Sequence, residues 1–190
     1  VLRRRDLGLL GRFAALFDDL PAFVTKSPTD KLIADVPIVA IGVWDTVGAL
    51  GIPAYVRGEE RVDMFRFADT KLSPRVKRAF HAVAVDERRA DFTPTWWDAD
   101  PGRISQTLFP GAHADVGGGY ASNESALSDA ALRWMISNLQ PLGLHFRAPP
   151  HFEPRANAGG IAHDPCCNLP WRRLPQGARV IPRDLRLHRS

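Results

Sequence analysis

The segment FPGAHADVGGGY, residues 109–120, places His113 and Asp115 two apart and follows them with Gly117, Gly118 and Gly119. Two further spots gather similar side chains: Asp45-Thr46 after the apolar run VPIVAIGVW, and His163-Asp164 within GGIAHDPCC. A carboxylate that orients an imidazole makes the general base of nucleophilic catalysis. The same side chains suit a cation: His113, Asp115 and His163, with Asp45 completing an oxygen-rich set, would serve a metal-dependent hydrolase. Each spot also has a purely structural reading. Asp45 can cap a turn through backbone N–H groups, and a loop His such as His163 can simply be solvated. Three residues without Cβ give either a nest for an anion or a tight turn. Their spacing matches neither dinucleotide-binding nor P-loop glycines, which excludes both.

Positioning these residues falls to a small set of elements. VPIVAIGVW, residues 36–44, is apolar throughout and rich in β-branched residues, as a strand buried on both faces of a parallel sheet would be. It runs directly into Asp45. ISQTLF, residues 104–109, predicts a second strand that delivers the chain to His113. Three helices are expected. Residues 6–20 carry Leu9, Leu10, Phe13, Leu16, Phe17 and Leu20 at helical spacing before Pro21. Residues 73–89 open on Ser73-Pro74 and set Val76, Ala79, Phe80, Val83 and Ala84 on one helical face. SALSDAALRWMISNLQ aligns Leu127, Ala131, Trp134, Met135 and Leu139, with Ser125 or Ser128 as cap and Pro141 and Gly143 as stop signals. The last 45 or so residues are proline-rich and loop-like, with one short strand expected near RVIP. This alternation predicts an α/β fold with a mostly parallel sheet and flanking helices, in a single domain over 1–190.

Composition narrows the classes. At 190 residues and 45% hydrophobic, the chain can bury a sizeable core. The net charge of +4 resides in the tail: WRRLPQGARVIPRDLRLHRS, residues 171–190, has six Arg against one Asp. Such a segment would rest on an anionic membrane surface, or its arginines would pair with the body of the fold. It has no interleaved aromatics to stack bases, so nucleic acid is not an expected partner. Cys166 and Cys167 are adjacent and provide neither a disulfide framework nor a zinc site. The longest apolar run, nine residues, is too short to span a bilayer, and VLRRRDLGLL does not open as a signal peptide.

In open parallel sheets, ligands sit beyond the carboxyl ends of the strands, where Asp45, His113 and Asp115 are expected. In α/β-hydrolases the acid precedes the His along the chain, an order that both Asp115 with His163 and Asp45 with His113 satisfy. The resemblance then becomes specific. GVWDTVGALGIP, AFHAVAVDERRADFTPTWW, and FPGAHADVGGGY followed by LSDAALRWMI resemble successive motifs of one bacterial and fungal α/β-hydrolase family. That family was long labelled a domain of unknown function and includes phospholipase effectors of type VI secretion.

The resemblance covers roughly residues 36–190 and implies a Ser-Asp-His triad that cleaves a lipid or other carboxylic ester, with no cofactor and no metal. Asp115 and His163 are the preferred acid and base, because Asp115 follows the later strand and a loop beyond it usually delivers the His. Asp45 and His113 are their nearest competitors. It further implies a cognate secretion or immunity protein as partner, and either the bacterial cytoplasm or delivery by type VI secretion as location. One element of the family pattern is absent from these residues. None of the eight serines (Ser27, Ser73, Ser105, Ser122, Ser125, Ser128, Ser137 and Ser190) lies in a G-x-S-x-G elbow. The expectation is that the elbow precedes Val1 and that the fold is incomplete at its N-terminal end. A chain that kept the fold but lost the nucleophile, acting as a binding or scaffold module, is the alternative.

Overall fold

The computed structural model describes residues 36–47, 71–147 and 153–189, and every element below belongs to the compact unit Pro37–Ser190. The helix expected over residues 6–20 lies outside the described residues. Among the described residues four strands form one parallel sheet in the order β1-β2-β3-β4: β1 is Ile38–Trp44, β2 Val76–Ala84, β3 Ile104–Phe109 and β4 Arg186–Leu187. The register brings Trp44 beside Ala82, and Ala84 beside Phe109, so the first three strands end close to one edge. Two helices follow β3: α1 is His113–Gly117 and α2 is Ala126–Leu139. This is the α/β architecture expected, and α2, β1 and β3 fall where the pattern put them. β1 is not, however, buried on both faces as its apolar run predicts: Ile38 and Val39 are exposed and the rest of the strand is half-buried, because β1 pairs with β2 alone among the described strands.

β2 corrects the reading of residues 73–89 as a helix. The positions Val76, Ala79, Phe80, Val83 and Ala84 fit a helical stripe, but they sit inside a continuous run. Ala79, Phe80, His81, Ala82, Val83 and Ala84 are all buried, which leaves no polar face for a helix to show solvent. A central strand of a parallel sheet is covered on both faces and reads as such a run, which helical periodicity cannot distinguish over so few residues. Ser73-Pro74 makes the turn that enters the strand, with the Val76 N–H donating to the Ser73 carbonyl. The short strand expected near RVIP forms later, at Arg186–Leu187, beside Thr107 and Leu108.

The core gathers Ala82, Ala84, Phe109, Val116 and Ala131, with Trp44 and Trp134 packed against it. Trp134 of α2 meets Phe80 and Phe109 edge-on, at centroid distances of 6.1 and 5.6 Å. Gly42 lets α2 approach β1, since a Cβ there would lie 2.7 Å from the Met135 sulfur. The helix stops as its sequence predicts: a 3₁₀ turn, Gln140–Leu142, leads into Gly143 at φ +94°. Among the described residues no helix is long and apolar enough to cross a membrane.

Candidate active site

Three loops leave the carboxyl edge of the sheet, and each places a charged or titratable side chain there. Asp45 follows β1 directly, Glu87 lies three residues past β2, and His113 lies four past β3. Asp45 adopts φ +41°, a left-handed conformation that Asp tolerates better than most residues, and this turns the chain as the strand ends. Beyond β3, Gly111 at φ +97° performs the equivalent turn before α1 begins.

The Asp45 side chain is fully buried, and all its oxygen lone pairs are used. Oδ1 accepts from the Ala84 N–H at 2.9 Å and from Arg179 Nη1 at 2.5 Å. Oδ2 accepts from Arg179 Nη2 at 2.8 Å and meets Nδ1 of His113 at 2.7 Å. Burial alone would raise this carboxyl group, but the hydrogen bonds from Arg179 and His113 outweigh it and bring the pKa down to about 2. His113 is one-third exposed along its side chain. Its backbone N–H donates to Glu87 Oε2 at 3.1 Å, and the edge of its ring packs with Phe92 at 5.0 Å. Glu87 is itself held by the Arg89 side chain and backbone, at 2.7 to 2.9 Å. The Arg89 guanidinium in turn lies over Phe92 and Trp171. Among the described residues, Nε2 of His113 makes no hydrogen bond.

Asp115 and His163 form a second pair. Nδ1 of His163 lies 2.6 Å from Asp115 Oδ1, and the His163 backbone N–H donates to Oδ2 at 3.0 Å. Oδ2 also accepts from the Ala112 N–H at 2.9 Å, so Asp115 ties α1 to its own start and to the loop that carries His163. The outer face of this imidazole is occupied. Tyr120 stacks on it with centroids 3.6 Å apart, and Nε2 faces Glu124 at 3.6 Å. Burial, and then the Asp115 charge, hold the Tyr120 phenol above its usual range.

The four residues singled out in the sequence are thus brought together two by two: His113 and Asp115, both on α1, turn to different partners. Among the described residues no three His, Cys, Asp or Glu side chains are grouped to hold a metal ion, so the four-residue ligand set does not form. Gly117 and Gly118 end α1, and a Cβ on Gly117, Gly118 or Gly119 would meet nothing within 4 Å. Glu87 had a signal in the sequence, the acidic pair at the end of the apolar stretch in AVAVDERR. Arg179 had none: it lies 134 residues from Asp45, in a segment that counts only as basic.

Residues 18–138, well over half of the chain, match the family described as type VI secretion system, phospholipase effector Tle1-like, catalytic domain. The chain belongs to that family. It is therefore a lipid-hydrolase catalytic domain by family, as the motif blocks imply. The matched span contains Asp45, His113 and Asp115, whereas His163 and Arg179 lie beyond it. No curated protein and no solved structure matches the chain.

Proposed function

We propose that this domain hydrolyses a carboxylic ester of a phospholipid through a Ser-His-Asp triad in which Asp45 is the acid and His113 the base. The nucleophilic serine would lie on an elbow outside these 190 residues. The observation that carries the reading is the Asp45–His113 pair at the carboxyl edge of the sheet, with Nδ1 held by a buried carboxylate and Nε2 making no hydrogen bond among the described residues. This differs from the preference for Asp115 and His163, which rested on Asp115 following the later strand and on a loop beyond it delivering the His. Tyr120 and Glu124 already occupy the open side of His163, and the family match ends before it.

In this mechanism the serine Oγ attacks the ester carbonyl while His113 Nε2 takes its proton, and Asp45 stabilises the imidazolium through Nδ1–H. The imidazolium then protonates the leaving alcohol, and a water activated by the same nitrogen releases the acid. Asp115–His163 acts as a structural clasp between α1 and the loop at 160–165. The basic C-terminal segment, in which Arg172, Arg173, Arg183, Arg186 and Arg189 are exposed, would contact anionic lipid. A cognate secretion or immunity protein, and delivery by type VI secretion, belong to the same proposal.

A fluorophosphonate probe, which labels activated serines, tests it by intact mass. The 190-residue chain should take up no label, and the chain extended upstream through a G-x-S-x-G segment should take up one. In the extended chain His113→Ala should slow labelling by about 10³-fold or more, while His163→Ala should leave the rate within about tenfold. The reverse ranking would return the base role to His163. Absence of label on the extended chain would favour the non-catalytic module, a reading that the lack of G-x-S-x-G in these residues keeps in view.

A further inference from the structure

We propose that Arg179 is a positioning residue for the Asp45–His113 pair: its guanidinium locks the Asp45 carboxylate onto His113 Nδ1, so that the ring proton is held on Nδ1 and Nε2 is the nitrogen left to act. The inference deepens the triad reading and rests on it for its catalytic meaning.

Arg179 sits in the loop-rich C-terminal segment, yet its side chain is only 4% exposed. Both terminal nitrogens bind Asp45, and both also donate to backbone carbonyls, Nη1 to Ala84 at the end of β2 at 2.6 Å and Nη2 to Phe92 in the 3₁₀ turn beyond it at 2.5 Å. The Nε is buried without a partner among the described residues. Merely tying a loop to the sheet does not call for such a group, since a buried guanidinium is costly to desolvate and apolar packing does the same work at less cost. What the fork does specifically is complete the carboxylate. With two donors on each oxygen, Asp45 has no free lone-pair site about which to reorient.

Arg179 also places a positive charge against the buried carboxylate that faces His113. Among the described residues, the other charged groups around His113 are Glu87, which accepts its backbone N–H, Arg89 paired to Glu87, and Asp115 two residues on. His81 lies beyond Asp45, and burial holds its pKa down at about 4, so it adds no charge near neutral pH.

The test needs no nucleophile. Imidazole ¹⁵N spectra of the labelled 190-residue chain, with His113 assigned from His113→Gln, report which ring nitrogen carries a proton at about pH 7.5. The wild-type chain is expected to show Nδ1 protonated and Nε2 bare. In Arg179→Met that pattern should be lost, with the Nε2 signal moving toward the protonated position or averaging between tautomers. Arg179→Lys, which keeps the charge without the fork, should move it part of the way, and it carries the test alone if Arg179→Met does not fold. A folded Arg179→Met, or failing that Arg179→Lys, with wild-type His113 nitrogens would overturn the inference, as would a protonated Nε2 in the wild type. This result is independent of serine labelling. If the ring spectrum responds but labelling ignores His113, the triad reading fails and the positioning role of Arg179 stands.

Discussion

His113 and Asp115 are two residues apart on the same short helix, yet they serve different pairs, because each residue of a helix turns the side chain by about 100° and two steps set them on nearly opposite sides. Gly111 makes that arrangement possible. Its φ of +97° belongs to the left-handed region, and a Cβ there would run into Asp115, whose Oδ2 would be only 2.8 Å away. Gly111→Ala is therefore expected to destabilise the chain by about 3 kcal/mol and to loosen the Asp115–His163 clasp. Gly117→Ala, which meets nothing within 4 Å, should change stability by under about 1 kcal/mol. Urea unfolding of the two variants side by side checks both, and equal losses would mean that the turn at Gly111 is not under this constraint.

Among the elements, β2 supplies the Ala84 N–H that Asp45 accepts, and it carries a buried titratable group. His81 is 1% exposed, its Nε2 accepts the Thr46 N–H at 3.1 Å, and its ring packs against Trp96 and Trp97. Burial lowers its pKa from 6.5 to about 4, with Asp45 pulling the other way. Between those two values the unfolded chain binds a proton that the folded chain refuses. Stability contributed by a neutral His81 is thus complete above about pH 6.5 and falls as the pH drops toward 4, by roughly 3 kcal/mol in all. Asp45 behaves as a depressed carboxylate should, and its share is lost only at more acidic pH, between 3.8 and about 2. Urea midpoints measured from about pH 7 to 4 should fall more steeply for the wild type than for His81→Gln. Parallel slopes would remove His81 from the account.

For the molecule as a whole, the net charge of +4 is less informative than its distribution. One tail arginine, Arg179, is withdrawn into the site, and five are exposed, as the proposed contact with an anionic surface requires. Arg172→Gln with Arg173→Gln should weaken binding to phosphatidylserine-containing vesicles by about 2 kcal/mol, roughly thirtyfold, at about 0.1 M salt. Binding that is indifferent both to these changes and to salt would exclude the tail as the membrane contact.

By itself the sequence determined the class of fold, the strands ending at Asp45 and before His113, the second helix and the family, because these follow from local patterning and contiguous motifs. It misassigned β2, since six consecutive buried residues satisfy a helix template and a central strand equally well. It also left open which Asp serves which His, as chain order admits both pairings. Only the tertiary structure decided the partners, through the parallel register that brings three strand ends together and through Arg179, which reaches Asp45 from 134 residues away. Contacts across such separations depend on how the strands align in space, and no local signal encodes them.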